Sequence, residues 1–304
     1  MSATEPTEFE LYYRAGDHEY RYALSVHADE IVSEGLWRRK LGASRTAMLF
    51  EREDTKVELG PTLRKFVTAA RFNPSLPYLS FLCINFDAPV VQEAASWFLD
   101  AVFLNYNSSY LERMLEQMLD EGDSREVTRF LRAVDVRIDG FRVERAPEWR
   151  GQRVFVRHEV GGKAYELRLS EESAGTQKLM GLAAYLMTAL ECGGTVVVDE
   201  LDAKLHPKLL RYVILLFKDP EVNKSGAQLI FSSQDVSTMR NDVFRRDEIW
   251  FAARGEGEAS QLWSLADIHE VNGNLVSKNA AFDKQYLSGR YGADPYLTRI
   301  EEWD

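Results

Sequence analysis

An α/β fold is what this sequence predicts, and three observations predict it. Residues 170–304 alternate helical and extended patterns, the mark of strands joined by helices. Within them Thr195-Val196-Val197-Val198 is a short β-branched run, of the kind found in a parallel strand covered on both faces. Earlier in the chain, residues 9–26 and 152–169 alternate with period two, which signals antiparallel hairpins. The expected architecture is therefore an α/β core over 135–304, an antiparallel β part over 1–60, and an inserted helical subdomain over 61–134.

Each element follows from its local pattern. Phe9, Leu11 and Tyr13 interleave with Glu10 and Tyr12, and Tyr20, Tyr22, Leu24 and Val26 interleave with Arg21, Ala23 and Ser25. Ala15-Gly16-Asp17-His18 lies between the two runs as a hairpin connection, and residues 46–58 extend the same sheet. From 61 to 134 the period becomes helical: Ala94, Phe98 and Val102, then Leu111, Leu115 and Leu119, recur at three- and four-residue steps. Asn105 to Ser109 is a polar break between two helices, and Asp123-Ser124 opens another that carries Val127, Phe130 and Leu131. Met114 and Met118 read as core filler. Strands return over 136–147 and 152–169, where Val154, Val156 and His158 alternate with Phe155 and Arg157. Gly161-Gly162 makes a tight turn before Tyr165, Leu167 and Leu169.

Composition narrows the class. Hydrophobic residues make up 45% and charged residues 28% of the 304, the balance of a globular protein. No apolar run approaches the roughly 20 residues that span a bilayer, so no membrane partner is expected. The start, MSATEPTEFE, has no secretory apolar region. Two cysteines, Cys83 and Cys192, form no framework of staples and read as small buried hydrophobes. A cytoplasmic location follows as the default. The net charge is −11, the opposite of the basic balance that phosphate neutralisation demands of a dedicated nucleic-acid binder. Arg38-Arg39-Lys40 is the densest basic cluster and reads as solvated surface.

The chemistry gathers around Asp199-Glu200, which end the 195–198 strand. Open α/β sheets bind ligands at the carboxyl ends of their strands. Asp199 suits Mg²⁺, which takes hard oxygen ligands and keeps several waters. Glu200 suits the orientation and deprotonation of an attacking water. A strand ending in two acids is also an ordinary solvated edge, so the neighbours decide. Upstream, Leu169-Ser170-Glu171-Glu172-Ser173-Ala174-Gly175-Thr176-Gln177 leads into an amphipathic helix bearing Leu179, Leu182, Leu186 and Leu190. Ser173 is a good N-cap, and Ala174-Gly175 leave a bare helix tip that a polyphosphate could approach. Downstream, Leu201-Asp202-Ala203-Lys204-Leu205-His206-Pro207 opens another helix, with Pro207 in its first turn and His206 as its cap. A second buried strand, Gln228-Leu229-Ile230-Phe231, runs into Ser232-Ser233-Gln234-Asp235. Gln234 is placed to hydrogen-bond a γ-phosphate or the attacking water, and Asp235 to cap the next segment.

The order ESAGTQ, VVVDE, LDAKLHP, FSSQD resembles the ABC-type ATPase heads, and most of all the AAA-family ATP-binding proteins of bacterial defence and abortive-infection loci. Tyr286-Leu287-Ser288-Gly289-Arg290-Tyr291-Gly292 is similar to that group as well. The likeness covers most of the chain and is strongest over 150–295. It implies a P-loop NTPase-like sheet, ATP and Mg²⁺ as cofactors, and a homodimer or another nucleotide-holding partner. Ser173, Gly175 and Gln177 fall on the signature motif, which in such heads contacts the ATP held by the opposite subunit. Asp199 falls on the Walker B magnesium carboxylate and Glu200 on the general base. Asp202 falls on the D-loop aspartate at the dimer seam, and Gln234 on the switch position.

Two departures qualify that expectation. The switch residue is usually histidine, and glutamine cannot take its positive charge. No G-x-x-x-x-G-K-[ST] occurs in the 304 residues. Gly161-Gly162-Lys163 is followed by Ala164 and sits in a hairpin turn with no helix to receive phosphate. Such a loop holds the β/γ-phosphates, so the chain is expected to bind and hydrolyse ATP weakly unless a Walker A-bearing segment or partner chain supplies it, whether through truncation, a split gene or natural loss. Three functions remain open on the sequence: an ATPase head that signals to an effector protein, a non-hydrolysing nucleotide-dependent scaffold, and a metal-dependent nuclease built on Asp199, Glu200 and Asp202. The acidic balance and the signature segment weigh against the third, and nucleic-acid binding is left open.

Overall fold

The computed structural model describes residues 5–68, 70–105, 115, 119, 124–134, 136–145, 152–254, 260–270 and 273–293. They fall into two compact units, one within Met1–Ala101 and one within Val102–Asp304.

The first unit is an antiparallel meander of β1 (Thr7–Ala15), β2 (His18–His27), β3 (Glu30–Lys40), β4 (Ala47–Glu53) and β5 (Lys56–Leu59), in that spatial order. The expected hairpin pairs Thr7 with Val26 through Ala15 with His18, and residues 47–59 extend its sheet. Bulges at Ser25/Val26 and Leu36/Trp37 bend the sheet. Its core face carries Tyr13, Tyr20, Leu36 and Phe50, packed with Leu79 and Leu82 of α1 (Tyr78–Asn85) and Val91 and Ala94 of α2 (Pro89–Asp100). Tyr13 stacks on Tyr20 at 5.3 Å between ring centres and donates its hydroxyl to the Ala94 carbonyl at 2.7 Å. Under this core lies a fully buried ion pair, Glu34–Arg52, at 3.4 Å. Glu34 accepts the Tyr78 and Leu79 amides at 2.5 and 2.9 Å, which caps an α1 whose own N-cap, Pro77, has no side chain to offer. Arg52 donates to the Pro74 and Leu76 carbonyls and so fixes the approach to that helix.

The second unit opens with β6 (Val102–Leu104), a strand where the periodicity predicts helix. The helical run from Ala94 through Phe98 stops at Asp100 because residues 102–104 pair in parallel with Val196–Val198. Of the remaining expected helical positions, Leu111, Met114, Met118 and Asp123 lie outside the described residues. Leu115 is buried, as are Val127, Phe130 and Leu131 of α3 (Ser124–Ala133). β7 (Gly140–Arg145), β8 (Gln152–Val160) and β9 (Lys163–Arg168) form an antiparallel sheet. Its Gly161-Gly162 turn is left-handed at both residues, φ +60° and +79°.

α4 (Ala174–Cys192) then crosses to β10 (Thr195–Val198), α5 (Pro207–Lys218) to β11 (Gln228–Phe231), and the parallel sheet reads β11-β10-β6. Leu179, Leu182, Leu186 and Leu190 of α4 are buried as the pattern predicts, together with Val196, Val198, Leu210 and Val213. The opposite face of this sheet departs from expectation. Phe103 is 63% and Ile230 52% exposed, and both flank the half-buried Val197 in register. β11 is therefore not a buried strand. The cysteines depart too: Cys192 is exposed and Cys83 half-buried. Cys192 is the last residue of α4, beyond the turn that carries Ala189 and Leu190 into the core. A hairpin of β12 (Trp250–Arg254) and β13 (Ser260–Ser264) and the short α6 (Phe282–Leu287) enclose a smaller core of Phe251, Leu265, Val276 and Phe282.

Candidate functional site

The carboxyl ends of β10 and β11 meet through one serine. The Leu104 carbonyl accepts the Asp199 amide at 2.9 Å, and the Val198 carbonyl accepts the Ser232 amide at 3.1 Å, so the ladder carries on past the last strand residues. There the Ser232 hydroxyl donates to Asp199 Oδ1 at 2.5 Å and accepts the Glu200 amide at 2.8 Å. The Ser232 carbonyl accepts the Leu201 amide at 3.0 Å. One hydroxyl thus aims the first carboxylate and holds the backbone of the second, and both carboxylates are exposed at the sheet's edge.

The loops beyond are joined as well. Asp202 Oδ1 accepts the Gln234 amide at 3.2 Å, which leaves the Gln234 side chain exposed. Asp235 caps the turn at Val236–Thr238 through the Ser237 amide at 2.6 Å. His206 caps α5, with Nδ1 accepting the Lys208 amide at 3.2 Å.

The start of α4 closes the third side. Ser173 is its N-cap and accepts the Thr176 amide at 3.1 Å. Gln177 turns its amide nitrogen back to the Glu172 carbonyl at 2.6 Å, and Glu172 meets His158 Nε2 of β8 at 2.6 Å. The expected bare tip is in part filled by the chain itself: a Cβ added to Gly175 would stand 2.7 Å from the Lys204 carbonyl oxygen. The glycine lets the helix start lie against the loop that follows β10.

Lys178 is the site residue that the pattern does not disclose. It is 3% exposed, and its ammonium donates to the carbonyls of Glu200 at 2.6 Å and Ala203 at 2.9 Å. Burial pushes its pKa down to about 8, against the pull of the Asp202 and Glu200 carboxylates. Ser232 is the other omission, legible only as part of a polar strand end. Ser232 thus joins Asp199 to the Glu200 backbone, Lys178 joins that backbone to α4, Gly175 lies against Lys204, and Asp202 holds Gln234, while the Ser173 and Gln177 side chains bond within the helix start and the turn before it.

The donor set can be tested for the groups the resemblance implies. Asp199 offers one exposed carboxylate with a hydroxyl beside it, which fits Mg²⁺ held largely by phosphate oxygens and water. Among the described residues, no three His, Cys, Asp or Glu side chains gather into a cage that could hold a metal by themselves.

Residues 2–240 match the protein family described as "AAA domain, putative AbiEii toxin, Type IV TA system". No curated protein matches the chain. Among solved structures, the SMC head domain from Thermotoga maritima is similar at 12% identity and a TM-score of 0.36, over 82% of this chain and 74% of that one. An SmcHead bound to the C-winged helix domain of ScpA is similar at 13% identity and a TM-score of 0.34, over the same shares.

Proposed function

Because the chain belongs to this family of AAA domains, matched over most of its length, we propose that it is an ABC-type ATPase head whose hydrolytic half is built around Asp199, Glu200 and Gln234. The observation that carries the reading is the Ser232 bridge: it sets an Asp-Glu pair at the carboxyl edge of a parallel sheet, with Gln234 anchored to Asp202 beside it. Asp199 and phosphate oxygens would hold Mg²⁺, which when bound neutralises the charge developing on the transferred phosphoryl group. Glu200 orients a water and takes its proton. Gln234 lends a neutral amide to the same water. Ser173, Gly175 and Gln177 contact the nucleotide of an opposing subunit, and Asp202 lies at the seam between subunits.

This half is completed by a phosphate-loop segment that residues 1–304 do not encode. Support for this comes from the sheet. Parallel sheets are covered on both faces, and the face bearing Phe103, Val197 and Ile230 is open. The family's description, "AAA domain, putative AbiEii toxin, Type IV TA system", supports a defence role, and the ABC-type reading adds nucleotide-driven dimerisation that signals to an effector protein. No described helix is long and apolar enough to cross a membrane, and an ATP-driven head belongs with the ATP of the cytoplasm.

Calorimetric titration of MgATP, with and without a loop-bearing partner, tests the proposal. Binding and hydrolysis that depend on the partner are expected, with Glu200→Gln lowering hydrolysis by about 100-fold or more. Hydrolysis indifferent to Glu200→Gln sinks it. A second reading, a non-hydrolysing nucleotide-dependent scaffold, is favoured by glutamine at position 234. It is the reading that binding without turnover in the completed complex would select.

A further inference from the structure

The first two turns of α4 grip the loop after β10 at three points. Gly175 lies against the Lys204 carbonyl, and Lys178 donates to the carbonyls of Glu200 and Ala203. Lysine is almost never this deeply buried without a partner, and the partners here include two backbone oxygens at either end of a four-residue turn. The turn needs such a hold. Glu200 has φ +52° and Lys204 φ +60°, a left-handed conformation that residues with side chains adopt only when the surrounding structure dictates it. On the other side, the Ser232 hydroxyl and carbonyl take the Glu200 and Leu201 amides. Glu200 is therefore held by its carbonyl from α4 and by its amide from Ser232, the residue that follows β11.

We propose that Lys178 is a positioning residue: it fixes the left-handed backbone of Glu200, and so ties the direction of that carboxylate to the start of the signature helix. A shift of the helix start would carry Gly175 and Lys178 together, and both act on the turn between Glu200 and Lys204. Whatever engages Ser173 and Gln177 at the helix tip thereby reaches Glu200 through covalent and hydrogen-bonded links alone. The catalytic consequence rests on Glu200 being the base; the mechanical link does not.

Amide hydrogen exchange on the whole chain reads that link directly. The amides of Leu201, Ala203 and Leu205 are bonded to the carbonyls of Ser232, Glu200 and Asp202. Lys178→Met is expected to speed their exchange by about tenfold or more, with α5 and the β1–β5 sheet unchanged. Unchanged exchange at these three amides, or equal acceleration everywhere, overturns the proposal. If Lys178→Met does not fold, Lys178→Gln decides: its shorter neutral amide cannot span the Glu200 and Ala203 carbonyls as the ammonium does, so it must accelerate the same three amides, and intact protection there overturns the proposal. In the loop-completed complex, Lys178→Met should lower kcat by about tenfold or more and leave KM for ATP within about threefold. A wild type whose hydrolysis is lost in Glu200→Gln, beside a Lys178→Met variant with undiminished kcat, overturns the proposal. A wild type that never hydrolyses retires the ATPase reading instead, and the exchange result then decides the role of Lys178.

Discussion

Ser232 donates its hydroxyl to Asp199 at 2.5 Å while the same oxygen receives the Glu200 amide at 2.8 Å. A hydroxyl can do both at once because it carries one donor hydrogen and two lone pairs. Ser232→Ala removes both bonds at a solvent-exposed position, so the expected stability loss is roughly 1 kcal/mol, read as a lower urea midpoint at unchanged slope. Ser232→Thr keeps the hydroxyl and is expected to retain most of the difference. A Ser232→Ala midpoint equal to wild type would show that water replaces the serine at no cost.

Gly193 closes α4 in the left-handed region at φ +83°, and a Cβ there would stand 2.4 Å from the Ser225 carbonyl oxygen. Gly162 has nearly the same φ, +79°, with nothing within 4 Å. The backbone penalty of a side chain, roughly 1–2 kcal/mol, is common to both. Gly193→Ala is therefore expected to cost clearly more than Gly162→Ala in urea denaturation. Equal costs would mean that the Ser225 loop yields freely.

How much of this was legible depends on how local the cause is. The hairpin over 9–26, the Gly161-Gly162 turn and the capping by Ser173, His206 and Asp235 follow from neighbouring residues, and the structure shows each of them. The side-by-side placement of 195–198 and 228–231 follows from two β-branched or apolar runs with a helix between. β6 does not: Val102-Phe103-Leu104 is too short for a period to show, and only pairing with β10 makes it a strand. Lys178 is hidden for a similar reason. A lysine beside Leu179 on an amphipathic helix reads as solvated, and the carbonyls that bury it lie more than twenty residues away in sequence. Cys192 fails in the other direction, since an apolar stretch says nothing of where the helix leaves the core.

The Glu34–Arg52 pair in the first unit has no exposed side-chain surface. Arg52→Met leaves Glu34 buried without its counter-charge and frees the carbonyls of Pro74 and Leu76. The expected cost is about 3–5 kcal/mol. Adding Glu34→Gln should cost less in the Arg52→Met background than in wild type, because the uncompensated charge is already present. Strict additivity of the two losses in a chemical-denaturation cycle would show that the two side chains do not act as a pair.

Lys178 makes the stability of the second unit depend on pH in a direction that can be worked out. Its folded pKa is about 8, against 10.5 for the free side chain. The groups that face it are Asp202 and Glu200, which favour its charge, and Lys204, which opposes it. Between those two values the unfolded chain keeps the proton while the folded chain has released it, so the unfolded state binds more protons and stability rises with pH. The limit for one group is about 1.4 kcal/mol per pH unit. Lys178→Met has no such group. The free-energy difference, wild type minus Lys178→Met, is therefore expected to shift in favour of wild type from pH 7.5 to pH 10, and to be flat below about pH 7. Other titrating groups cancel in the comparison, which isolates this one. A difference that stays constant across the range would place the folded pKa near that of an ordinary lysine, and with it an ammonium whose burial costs nothing because the two carbonyls and the nearby carboxylates fully replace water.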